Sequence, residues 1–311
     1  MNRIYCFIIV VLSITGYSCK NNSGVKPYKV AAREIGVEQI LNPQDLACTQ
    51  NYLIVKNDKE TEVFTVYGLP DLTYKYTYGR SGKGPGEFQA AYILPCSGDS
   101  VFISDFIQYA VTKNDIGGNF NVTGSYDLPQ GLPLFNDIHF LGGDRFCFQC
   151  RDANKVGIQV WNFDTGKKEQ DISLAENGNS LNEDGMLASC GNRMAYAYCY
   201  QDKLLIKDIE SGKTMIVGSE KKDVENEIFY YSNIKATPRH IYALFQGYSE
   251  EEISADAEDK FSQVYVFDWD GNLLKKIELD RIVNLFAVDD AENNIYAMSP
   301  FDPERILKYQ L

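Results

Sequence analysis

Residues 137–166 read DIHFLGGDRFCFQCRDANKVGIQVWNFDTG, and their pattern decides the fold. A first run, Asp137-Ile138-His139-Phe140, leads to a turn cluster at Gly143-Asp144-Arg145. Phe146-Cys147-Phe148 opens a second run and Ile158-Gln159-Val160-Trp161 forms a third, which closes on Asp164-Thr165-Gly166. Short stretches rich in aromatic and β-branched residues, bounded by Gly and Asp, predict antiparallel strands. The turn residues supply the positive φ that a tight reversal needs.

The same unit recurs along the chain. Second runs begin at Leu53, Val101, Phe146, Met194, Ile241 and Ile295, in steps of 48, 45, 48, 47 and 54. Third runs follow at Val63, Tyr109, Ile158, Leu204, Val264 and Ile306. A single four-stranded sheet cannot bury both of its faces, whereas sheets stacked radially bury them all. The pattern predicts an all-β fold: a six-bladed β-propeller with blades of four antiparallel strands. The last unit stops at Leu311 after its third strand. Tyr28 to Ile35 alternates and is expected to supply the missing outer strand, closing the ring and removing an exposed edge. No window carries a sustained helical apolar pattern with caps.

The start of the chain reads as an export signal. Arg3 precedes an apolar run from Ile4 to Ile14, too short to cross a bilayer and suited to a signal-peptide core. Gly16-Tyr17-Ser18-Cys19 resembles a lipobox, in which the signal is cut and the cysteine acylated. Residues 1–18 are therefore expected as a lipoprotein signal peptide, 19–27 as a lipid-anchored stalk and 28–311 as the propeller. Acyl chains on Cys19 would provide the only membrane contact. Lys20-Asn21-Asn22 lacks an acidic surface-export cluster, which favours the periplasmic face of the outer membrane over the cell surface.

The composition is globular, with 44% apolar and 13% aromatic residues. Asp and Glu outnumber Lys and Arg by 43 to 30, a balance that excludes nucleic acid as the partner. Six cysteines follow Cys19: Cys48, Cys96, Cys147, Cys150, Cys190 and Cys199. Cys147 and Cys150 form a CxxC within a strand, where i and i+3 point to opposite faces and the sulfurs diverge. Small buried thiols are the expected role, with disulfides permitted by an oxidising compartment.

Gly79-Arg80-Ser81-Gly82-Lys83-Gly84-Pro85-Gly86-Glu87-Phe88 resembles the G-x-G-x-G-P-G-x-F signature of NHL-type propellers and of TolB-like six-bladed propeller lipoproteins from gut anaerobes. The resemblance implies a link from the outer strand of one blade to the inner strand of the next, with Phe88 wedged between blades. Val101-Phe102-Ile103-Ser104-Asp105 resembles the family strand that ends in Asp. A phosphate loop is excluded, since Lys83 precedes Gly84-Pro85 and no helix follows.

Function is expected on the face that carries the interblade links and the turns after each second strand. Candidate binding residues there are Arg80, Lys83, Glu87, Tyr109, Tyr230, Tyr231, Tyr248 and Phe301, beside a long acidic insertion from Gln246 to Ser262. Exposed aromatics next to acids and amides suit a glycan, peptide or protein partner. The alternative is a Ca²⁺-dependent hydrolase or lyase at the channel mouth. Asp45, Asp137, Asp184, Asn233 and Asn284 would be its oxygen ligands. Asp and Asn also occupy such positions for local reasons, by bonding their own backbone. No Ser, Cys or Asp stands at a recognisable triad spacing in sequence from His139 or His240, so no catalytic residue is assigned.

Overall fold

The computed structural model describes residues 24–37, 40, 42–58, 61–95, 98–105, 107–129, 131–132, 135–152, 155–174, 183–222, 228–255, 259–289, 291 and 293–311. The expectations for the signal segment 1–18, for lipid on Cys19, for Cys96 and for the side chain of Asp137 lie outside what is described.

Six sheets follow one another around a ring. Blade 1 holds Pro43–Cys48, Tyr52–Asn57, Thr61–Gly68 and Thr73–Ser81 from the axis outward. Blade 2 holds Ala91–Pro95, Ser100–Asp105, Ala110–Asp115 and Asn121–Asp127. Blade 3 holds Phe135–Gly142, Arg145–Asp152, Lys155–Asn162 and Lys167–Ser173. Blade 4 holds Gly185–Cys190, Arg193–Tyr198, Gln201–Asp208 and Thr214–Lys222. Blade 5 holds Ile228–Ala236, His240–Ser249, Gln263–Asp268 and Leu273–Glu278. Blade 6 takes only Leu285–Asp289, Asn294–Ser299 and Asp302–Gln310 from the end of the chain. Antiparallel order places the first-to-second and third-to-fourth turns on one face, here called the bottom. The second-to-third turns and the interblade crossovers lie on the top.

Strand alternation builds the core. In blade 4, Met194, Tyr196 and Tyr198 pack towards blade 3, while the intervening Ala195 and Ala197 pack towards blade 5. In blade 1, Leu53 and Val55 face blade 6 and Ile54 faces blade 2. Each of the six blade junctions thus has its own apolar cluster, and no blade is buried without both neighbours. Cys147 joins the cluster between blades 3 and 4, and Cys150 the one between blades 2 and 3. The two sulfurs diverge as the strand period requires.

Closure is more elaborate than a single strand. Arg33–Gly36 completes blade 6 by antiparallel pairing with Asp302–Gln310. Pro27–Lys29 instead adds a fifth strand to blade 5, parallel to Leu273–Glu278. The segment expected as one strand is split because the chain passes from one blade edge to the next. Val30 and Ala32 turn inward at that step to pack on the junction between blades 5 and 6.

Candidate functional site

The glycine-rich crossover from blade 1 to blade 2 is held from within. Glu87 Oε2 accepts the N–H of Gly84 at 2.8 Å, and Arg80 Nε donates to Glu87 Oε1 at 2.7 Å. The Gly84 N–H first, and then the Arg80 guanidinium, hold the Glu87 carboxyl below its ordinary range. A Cβ on Gly82 would lie 2.0 Å from Glu87 Oε2, and one on Gly79 would lie 2.8 Å from the Phe88 ring. The glycines therefore leave room for Glu87 and Phe88. Phe88 meets Phe64 edge-on at 5.2 Å and packs on the cluster between blades 1 and 2, as a wedge would.

Asp105, at the end of the second strand of blade 2, fastens this crossover. Its Oδ2 accepts the N–H of Gln89 at 2.7 Å, and its Oδ1 accepts those of Ile107 and Gln108, both at 3.1 Å. The Gln108 side chain donates to Gly82 O at 3.1 Å and to Glu87 O at 2.9 Å. The turn at 105–109 is thereby tied to the loop beside it. It displays Ile107, 48% exposed, and Tyr109, 64% exposed. Tyr109 adopts φ +54°, a conformation uncommon for an aromatic residue. Phe301, in the corresponding turn of blade 6, is 58% exposed.

Blade 5 departs from the sequence reading. Its first two strands extend upward as a taller hairpin, with Ile228 opposite Ser249 and Phe229 opposite Tyr248. Tyr230 and Tyr231 therefore lie within the inner strand rather than in a surface loop. Tyr231 is 1% exposed and donates its hydroxyl to Asp202 Oδ1 at 2.8 Å, so its assignment to the binding face is corrected. Burial, and then the Asp202 carboxylate, push the Tyr231 phenol well above its ordinary value. Tyr248 sits in the second strand with Lys260 Nζ 5.3 Å from its ring centroid.

The acidic insertion is not all loop. Gln246 to Ser249 prolong the strand, and Glu250–Ala255 forms a short helix with no buried residue. Ser249 Oγ accepts the N–H of Glu252 at 3.1 Å, and Glu252 Oε2 accepts that of Ser249 at 2.8 Å. This is a reciprocal capping box on a helix that carries no apolar pattern. At the foot of the insertion, Gln246 Nε2 donates to Ser232 Oγ at 2.8 Å and to Val283 O at 2.9 Å. Ser262 Oγ donates to Gln246 Oε1 at 2.8 Å and accepts the Val283 N–H at 3.0 Å. The crossover from blade 5 to blade 6 is thus pinned by a buried neutral network.

The channel residues make local and mutual contacts. Asp45 Oδ1 accepts the N–H of Leu46 at 2.8 Å and pairs with Lys235 Nζ at 3.2 Å, from blade 1 to blade 5. Asn233 Oδ1 accepts the N–H of Ile234 at 2.9 Å, and its Nδ2 donates to Asn284 O at 3.3 Å. Asn233 and Asn284 are therefore brought together, Asp45 is held by a lysine, and Asp184 lies just ahead of the inner strand of blade 4. Among the described residues no three His, Cys, Asp or Glu side chains are placed to hold a metal ion. Cys48, Cys147, Cys150, Cys190 and Cys199 are not joined in disulfides. Burial pushes the Cys199 thiol up to about 12, so it does not ionise near neutrality.

A model of TolB-like six-blade propeller-like proteins matches residues 190–291, from the end of the inner strand of blade 4 into blade 6. The glycine-rich signature at Gly79–Phe88 lies outside that match. A crystal structure of a DUF4221 family member from Bacteroides vulgatus is similar, with TM-score 0.63 and 11% identity, covering 93% of this chain and 98% of that one. The structure of U3-55K is similar with TM-score 0.51 and 7% identity, covering 86% of this chain and 80% of that one. At such identities the likeness is one of fold. No curated protein matches the chain in sequence.

Proposed function

We propose that this six-bladed propeller is a non-catalytic binding module, anchored by lipid on Cys19 at the periplasmic face of the outer membrane. Its top face docks a glycan, peptide or protein partner. The observation that carries this reading is the turn at 105–109. Asp105 and Gln108 fix its backbone, and the fixing leaves Ile107 and Tyr109 turned to solvent. The network that fastens the crossover also holds these two side chains outward. Rigid, exposed aromatic anchors are what binding surfaces use, because little conformational entropy is lost on contact. Phe301 offers a third such side chain on the same face.

The test is affinity capture from native membranes with the lipid intact, alongside glycan arrays. The wild-type chain retains a partner or glycan, and the Ile107→Ser/Tyr109→Ala variant loses it by about tenfold or more, the scale of one hot-spot residue. Equal capture by both proteins, or monomer alone with blank arrays, contradicts the reading.

A further inference from the structure

The direction of one short strand bears on how the molecule stands on a membrane. Pro27–Lys29 runs parallel to Leu273–Glu278, with Pro27 opposite Lys276 and Lys29 opposite Glu278. That outer strand of blade 5 rises from the bottom hairpin around Asp270 to the top crossover. The N-terminal chain must therefore enter from the bottom. Val25 agrees, because it packs on the cluster between blades 4 and 5 that contains Trp269 and Leu273, residues at that bottom hairpin.

From Val25 onward the chain is strapped to the rim. Lys29 pairs with Glu278 at 2.7 Å, and Ala32 N–H donates to Asp280 Oδ2 at 3.1 Å. Glu34 pairs with Arg281 at 2.8 Å and also with Arg305. Ile35 and Val37 then join the cluster between blades 6 and 1. Residues 25–37 thus cross three successive blade junctions, and this length of contact prevents the strap from swivelling about a single point.

We propose that this strap sets the orientation of the anchored propeller: bottom face towards the bilayer, top face outward. The inference rests on the lipid anchor of the proposed function. From Cys19 to Val25 the chain reaches about 20 Å at full extension. A blade strand of six residues is itself roughly 20 Å tall. A tether leaving the bottom rim would use its whole length along the side of a blade before the top face met the membrane, whereas the bottom face lies within reach of a slack chain. The binding turns would then meet partners from the aqueous side.

The chain's two tryptophans, Trp161 and Trp269, lie at or beside bottom hairpins, so the native protein carries its own bottom-face probe. The acylated protein is bound to phosphatidylcholine vesicles containing dansyl-phosphatidylethanolamine, and energy transfer from tryptophan is measured. A top-face probe is made as Phe301→Trp in a Trp161→Phe/Trp269→Phe background. Transfer efficiency per tryptophan at least twofold greater from the native tryptophans is expected. A flexible insert of about 20 residues before Val25 should reduce that difference by relaxing the tether. Equal or greater transfer from position 301 overturns the orientation. Vesicle binding unchanged by Cys19→Ser overturns the anchor instead, and the two failures are read separately.

Discussion

The crossovers from blade 1 to blade 2 and from blade 5 to blade 6 do the same mechanical job with different chemistry. In the first, a glycine-rich loop folds over Glu87 and is fastened by the Asp105 carboxylate. In the second, a short link is fastened by the amide of Gln246 and the hydroxyl of Ser262. Both networks start from residues at the second-to-third connection of a blade and satisfy backbone groups of the neighbouring link. The difference shows that a junction can be fastened without the glycine signature. The polar anchor sits in the blade after the link in the first case and in the blade before it in the second. The difference also separates their behaviour, since one junction depends on ionised groups and the other does not.

The largest effect is expected from Asp105→Ala. It removes the acceptor of four backbone N–H groups, those of Gln89, Ala90, Ile107 and Gln108. Loss of about 2–3 kcal/mol in denaturant unfolding is predicted, since four partly buried donors lose a charged acceptor at once. Ser262→Ala strands the Val283 N–H and one bond of Gln246. It should cost about 2 kcal/mol. If Ser262→Ala proved as costly as Asp105→Ala, the charged anchor would hold no advantage over the neutral one.

Gly82→Ala should cost about 1–2 kcal/mol, from φ +155° and from the approach to Glu87. In a Glu87→Ala background the added cost of Gly82→Ala should shrink, because the obstructing carboxylate is gone. Additive costs in this double-mutant cycle would deny the coupling. The smallest effect concerns pH. Glu87 has a depressed carboxyl pKa, so its hold on the loop is complete above the ordinary value of 4.5 and is lost as pH falls through the depressed one. Hydrogen-exchange protection of the Gly84 amide should fall as acidification passes through the depressed carboxyl value, while that of Val283, bonded to a hydroxyl, should not.

Much of this was legible in the sequence, for reasons that also mark its limits. The repeat was readable because every blade needs apolar residues on both faces, and strand alternation writes that need into runs such as Met194-Ala195-Tyr196. The Phe88 wedge followed from a family resemblance. The helix Glu250–Ala255 escaped because it buries nothing and so has no apolar stripe. Its only mark was Ser249 three residues before Glu252. Tyr231 reads as a loop residue in sequence, and the taller hairpin of blade 5 makes that stretch strand instead. The pairing of Asp45 with Lys235 joins residues far apart in the chain and close only once the ring has closed. Asp105 reads in sequence as a strand end, and its role as an anchor exists only with the neighbouring loop in place.

Two exposed tyrosines offer the most direct test of the central claim that the top face is the binding face. Tyr109 is 64% exposed on the turn of blade 2, and Tyr74 is 44% exposed on the outer strand of blade 1. A photoreactive amino acid at each position, irradiated in native membranes, should crosslink a partner from position 109 and not from position 74. Crosslinks from position 74 alone, or equally from both, would contradict the account.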